Sequence, residues 1–125
     1  MILLLDSHAL LWAIGSPAEL TEDARAALID PANDVLASAA SVWEIAIKRA
    51  LGKLRAPQGI AGAIEALGFS AVPITAADAE RAGSLPPHHR DPFDRMLVAQ
   101  AARLDAVVVS RDRAFDAYDV PVLRA

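Results

Sequence analysis

At 125 residues, with 54% hydrophobic and 22% charged side chains, the chain has the length of one domain and enough apolar material for a core without disulfide or structural metal. Cysteine is absent, which excludes disulfide scaffolds, thiol nucleophiles and sulfur-ligated zinc. The net charge of −4, from 12 basic and 16 acidic side chains, has the wrong sign for a simple nucleic-acid binder unless charge is sorted locally, as it is around Lys48, Arg49, Lys53 and Arg55.

Ile2–Leu5 is a short apolar run closed by Asp6-Ser7, the pattern of a buried strand. His8 to Ile14, ended by Gly15, predicts a helix, and Thr21 to Ile29 a second one before Asp30-Pro31. Asp34–Ala37 is the second strand candidate. Ser41 through Leu51 predicts a helix whose apolar stripe would be Trp43, Ile47, Ala50, Leu51 and Leu54. Gln58 to Leu67 predicts another helix. Phe69–Ile74 follows as a strand that Pro73 assigns to a sheet edge, and Thr75 caps a helix to Gly83. The run Ser84 to Arg90 is a loop by composition. Asp91-Pro92 marks the N-cap and first residue of a helix to Leu104, with Phe93, Leu97, Ala101 and Leu104 along one face. Ala106–Val109 has the unbroken apolar character of a strand buried on both sides, and a helical turn around Arg113–Tyr118 and a strand at Val120–Leu123 complete the chain. Strands alternating with helices predict an α/β fold over residues 1–125, a short central parallel sheet flanked by helices in three layers.

In such a fold the strand C-termini and helix N-termini meet along one edge of the sheet, where ligands bind. Four acids fall there: Asp6 after the first strand, Glu44 in the first turn of the third helix, Asp94 in the first turn of the Asp91-Pro92 helix, and Asp112 after the late strand. Each has a structural explanation of its own. Ser41 and Glu44 have the spacing of a capping box, Asp94 stands where a carboxylate favours the helix dipole, and Asp112 can cap the turn after it. Asp6 is harder to explain so, because an acid closing a buried strand needs a partner or a metal. Gathered in one pocket, the four would repel and raise one another's pKa unless a cation sat among them. Oxygen ligands without sulfur or histidine favour Mg²⁺ or Mn²⁺, and such a site suits phosphoryl chemistry.

The segments Leu3-Leu4-Leu5-Asp6-Ser7-His8-Ala9-Leu10-Leu11-Trp12, Ser41-Val42-Trp43-Glu44-Ile45, Asp91-Pro92-Phe93-Asp94-Arg95-Met96-Leu97 and Val109-Ser110-Arg111-Asp112 resemble the PIN-domain family, above all the VapC toxins of bacterial type II toxin–antitoxin systems. The resemblance spans essentially the whole chain. It implies a Mg²⁺- or Mn²⁺-dependent endoribonuclease with Asp6, Glu44, Asp94 and Asp112 as catalytic and metal-holding acids. It also implies supporting roles for Ser7, Ser110 and Asp91, an RNA substrate, a homodimer and a VapB-like antitoxin. Asp91 is read mainly as the helix cap. Lys48, Arg49, Arg95, Arg111 and Arg113 are candidate phosphate contacts, against the simpler reading of a solvated basic face.

Other chemistries fit less well. A histidine-based nuclease is disfavoured because His88 and His89 lie in a Pro-rich loop and His8 at a helix start. A dehalogenase-type phosphatase would want an acid where His8 stands, and a receiver domain would want paired acids ahead of its nucleophile. A non-catalytic RNA-binding or interaction module on the same fold is the alternative from another class. Trp12 and Trp43 read as core or dimer contacts before base-stacking platforms. No apolar run approaches the roughly 18 residues of a membrane span. Met1 to Leu5 lacks the basic region of a signal peptide, so the expected location is cytoplasmic.

Overall fold

The computed structural model describes residues 1–125 and is built on five parallel strands, β1 (Ile2–Leu5), β2 (Asp34–Ser38), β3 (Ser70–Val72), β4 (Val107–Ser110) and β5 (Val122–Arg124), in the order β3-β2-β1-β4-β5. Six helices connect them: α1 (Ser7–Gly15), α2 (Glu22–Ile29), α3 (Ala39–Ala50), α4 (Ile60–Ala66), α5 (Ala76–Ser84) and α6 (Pro92–Leu104), with 3-10 turns at Pro17–Glu19 and Arg113–Ala117. No helix is long and apolar enough to cross a membrane.

Alternation along β1 explains the layering. Successive side chains of a strand point to opposite faces. Leu3 and Leu5 pack with Ala9, Leu10, Ala24 and Ile45 on one side, while Leu4 packs with Leu97, Val98, Val108 and Phe115 on the other. Both faces are therefore covered by helices, which is why β1 and β4 read as continuous apolar runs. The chain builds outward from β1 through β2 to β3, then returns through α5 and α6 to place β4 on the other side of β1. That reversal makes the C-terminal ends of β1 and β4 the switch point of the sheet, the place where a crevice opens.

The α3 expectation needs two corrections. The helix begins at Ala39 directly after β2, and its cap is Ser38, which accepts from the Ala40 amide at 3.0 Å. Ser41 and Glu44 are therefore not a capping box, and Glu44 lies in the second turn. The stripe is also rotated: Ser41, Glu44 and Ile45 are buried, whereas Trp43 is 60% exposed, edge-on to Phe93, and Leu51 is exposed too. Trp43 is thus no core residue, while Trp12 does pack against the core, beneath the Arg111 guanidinium. By contrast α6 starts at Pro92 behind the Asp91 cap and ends at Leu104, and β3 takes the sheet edge, as read from the sequence.

Asp78 ties the outer helices together. It completes a capping box with Thr75, and Arg103 of α6 grips both of its oxygens at 2.6 and 3.0 Å. The Arg103 guanidinium holds the Asp78 carboxyl down at about 2, despite burial. Asp78→Ala is expected to destabilise the fold by about 2 kcal/mol, because the Thr75 amide loses its acceptor in the capping box and Gln100 and Arg103 lose their partner. A urea titration at pH 7 measures it. Because the folded pKa is depressed, this contribution is full above the unfolded value of 3.8 and disappears only as pH falls through about 2.

Candidate active site

Asp6 leaves β1 as the N-cap of α1. Its Oδ1 accepts from the Ala9 amide at 2.8 Å, and its Oδ2 accepts from Ser110 Oγ, at the end of β4, at 2.5 Å. The side chain is thus fixed across the switch point by one local and one long-range donor. Burial pushes its carboxyl above the ordinary value, and the hydrogen bonds from Ser110 and Ala9 work against that rise.

Glu44 is only 5% exposed. Ser7 Oγ donates to its Oε1, and Lys48, one turn on, donates to Oε2 at 2.7 Å. The Glu44 hydrogen bond in turn holds the Lys48 ammonium above its usual pKa. Asp94 is the third residue of α6, behind Asp91, whose Oδ1 accepts from the Phe93 and Asp94 amides. Its carboxyl is pushed up to about 7, first by burial, then by the charge of Asp91, with Asp6 and Glu44 adding and His89 opposing. The charges of Asp6 and Glu44 both act on Asp94, while the ligand atoms that lie within 4.8 Å of one another are those of His89, Asp94 and Asp112. Asp112 is more open. It caps the turn after β4 by accepting from the Ala114 amide at 2.9 Å, and its own amide donates to Ser110 Oγ at 2.9 Å.

What links Asp112 to Asp94 is His89, a residue that composition assigned to a loop and away from the chemistry. Its Nε2 lies 3.0 Å from Asp112 Oδ2 and 2.8 Å from Asp94 Oδ2. The loop reading is right for the backbone, but the ring reaches back over the first turn of α6. A position two residues ahead of an N-cap, with an acid at the third helical residue, was the available signal.

Two of the basic candidates are occupied elsewhere. Arg95 spreads its guanidinium over the carbonyls of Ala82, Gly83, Leu85, Pro86 and His89, and so straps the loop that carries His89. Arg111 lies over Trp12 and donates to the carbonyls of Ala125 and Glu19. Lys48 remains at the site, and Lys53 stands beside it. With Ser7, His8, Leu11 and Glu44 they line a cleft of about 290 Å³.

At the sheet switch point stand two buried carboxylates, Asp6 and Glu44, each oriented by its own donors, and the half-buried Asp94 against His89. The oxygen donor set, and the excess of negative charge left beside the single Lys48–Glu44 pair, suit a hard divalent cation. The chain matches a known family: the PIN domain family model covers residues 3–121. The chain belongs to the PIN-domain family. No curated protein matches this PIN domain in sequence. Among solved structures, it is similar to a chain of VapBC2 from Rickettsia felis bound to a promoter DNA fragment, at 14% identity and a TM-score of 0.71, covering 98% of both chains. DNA-bound VapBC from Salmonella typhimurium gives 16% identity and 0.71, covering 98% of this PIN domain and 97% of that chain. FitAcB from Neisseria gonorrhoeae gives 21% and 0.63, covering 99% and 97%. At these identities the likeness establishes the fold.

Proposed function

We propose that this PIN domain is the toxin of a VapBC-type toxin–antitoxin pair: a cytoplasmic, Mg²⁺- or Mn²⁺-dependent endoribonuclease that hydrolyses RNA phosphodiester bonds. It would act as a homodimer neutralised by a VapB-like antitoxin. The observation that carries this reading is the Asp94 carboxyl, pushed to about 7 by burial and by the charges of Asp91, Asp6 and Glu44. Such a cluster is unfavourable in a binding module, where it would also repel phosphate. The family membership and the VapBC complexes among the structural neighbours support the same reading.

In this reading Asp6, Glu44 and Asp94 hold the cation, and Asp112 completes the site from its open side. A bound Mg²⁺ or Mn²⁺ supplies a water of lowered pKa and neutralises charge on the phosphodiester. The chain's own groups do the rest. Ser7 and Ser110 fix the Glu44 and Asp6 carboxylates, and the start of α6 favours ionised Asp94. Lys48 and Lys53 draw the strand into the cleft beside Glu44.

The test is incubation of the purified chain with single-stranded RNA in Mg²⁺ or Mn²⁺, and again with EDTA. Cleavage in the metal alone supports the proposal; RNA binding without cleavage in either metal would favour the non-catalytic module.

A further inference from the structure

We propose that His89 is a positioning residue of this site: its Nε2–H donates to Asp112 and its ring stands against Asp94, so that it holds both carboxylates in place and does not itself ligate the cation. The inference rests on the metal-site reading above and concerns how that site is built. On distances alone the opposite reading is available, since His89, Asp94 and Asp112 present ligand atoms that all lie within 4.8 Å of one another.

The hydrogen bonds around the ring decide between them. The Asp91 amide donates to His89 Nδ1 at 3.2 Å, so Nδ1 presents its lone pair. In the neutral imidazole the proton is then on Nε2, which faces Asp112 Oδ2 at 3.0 Å and so donates to it. Ligation through Nε2 would move that proton to Nδ1, where it would confront the Asp91 N–H and forfeit its hydrogen bond. Asp91 belongs to the cap of α6, so the ring cannot slide away without disturbing the helix start that carries Asp94.

The rest of the residue is equally constrained. Its amide donates to the Tyr118 hydroxyl at 3.0 Å, and that hydroxyl donates to the Pro86 carbonyl at 2.7 Å. Its carbonyl accepts from Arg95, and its ring stands edge-on to Phe115 with centroids 5.9 Å apart. A loop residue held at its amide, its carbonyl, one ring nitrogen and its ring face is preorganised. Carboxylate ligands are commonly held by such outer partners, whose loss weakens metal binding by about 10- to 100-fold.

The experiment is Mn²⁺ titration, followed by electron paramagnetic resonance, on the parent and on His89→Phe and His89→Gln. Phenylalanine keeps the ring against Phe115 and loses the donor; glutamine keeps a side-chain N–H and loses the ring. The expected result is Mn²⁺ affinity lowered about 10-fold or more in His89→Phe and largely restored in His89→Gln. Equal affinity in the parent and His89→Phe would overturn the role of His89 alone, whereas a parent that binds no Mn²⁺ would overturn the metal site and this role together. A second readout needs no variant. Nitrogen-15 spectra of the parent should show Nε2 protonated both before and after saturation with Mg²⁺, and transfer of the proton to Nδ1 on adding Mg²⁺ would make His89 a ligand and refute the proposal.

Discussion

Asp6→Asn is expected to lower metal-dependent RNA cleavage by about 100-fold or more without unfolding the chain. The two consequences separate because Asp6 does two jobs with two oxygens. As the cap of α1 it needs an acceptor toward the Ala9 amide, which the asparagine carbonyl supplies, and the asparagine NH2 can donate to Ser110 Oγ where Oδ2 accepts from it. As a cation ligand it needs a charged carboxylate, which asparagine lacks. Burial already pushes the Asp6 carboxyl upward, so a neutral isostere removes a desolvation cost, and the melting temperature should stay level or rise. Cleavage assays beside thermal melts measure both. Unchanged cleavage would remove Asp6 from the chemistry; cleavage lost together with the fold would return it to a structural cap.

Asp94 gives the second large effect, with the opposite sign in stability and activity. Its carboxyl has an ordinary pKa of 3.8 and is raised to about 7 in the folded chain, chiefly by burial. The folded state therefore binds this proton more tightly than the unfolded one. Stability from this group is fully present below 3.8 and is lost as pH rises through about 7. Without divalent metal, the parent should become less stable between pH 5 and pH 8 by on the order of 2 kcal/mol, a drop of roughly 5–10 °C in melting temperature. Asp94→Asn should abolish that loss, melt higher than the parent at pH 8, and be inactive. Mg²⁺ or Mn²⁺ should raise the melting temperature of the parent at pH 8 and leave the variant almost unmoved, because a ligand stabilises only the state that binds it. A parent whose melting temperature is flat from pH 5 to pH 8 would contradict the burial argument.

The parts of this molecule that were legible in the sequence are those governed by local chemistry. Asp91-Pro92 fixed the start of α6 because a cap followed by proline has few alternatives. The apolar runs of β1 and β4 marked the centre of a parallel sheet because both of their faces are covered. The start of α3 was misplaced because β2 passes into it with no loop, and Ser41-Glu44 imitates a capping box two residues inside the true start, Ala39. The stripe of α3 was misread for a related reason. Bulky side chains such as Trp43 and Leu51 dominate a hydrophobic pattern, whereas the face against its neighbours is made of Ser41, Glu44 and Ile45. His89 left only a faint signal in the sequence, its position two residues ahead of the Asp91 cap. Its place depends on Tyr118, Arg95 and Phe115, residues far apart along the chain that converge only on folding.

In the proposed function Asp6, Glu44 and Asp94 form a single cation site. Mn²⁺ binding to the parent and to Asp6→Asn, Glu44→Gln and Asp94→Asn at pH 8 measures it directly. Saturable binding by the parent is expected, weakened by each of the three substitutions. Binding that survives all three at the parent's affinity, or none by the parent at millimolar Mn²⁺, would contradict the single site.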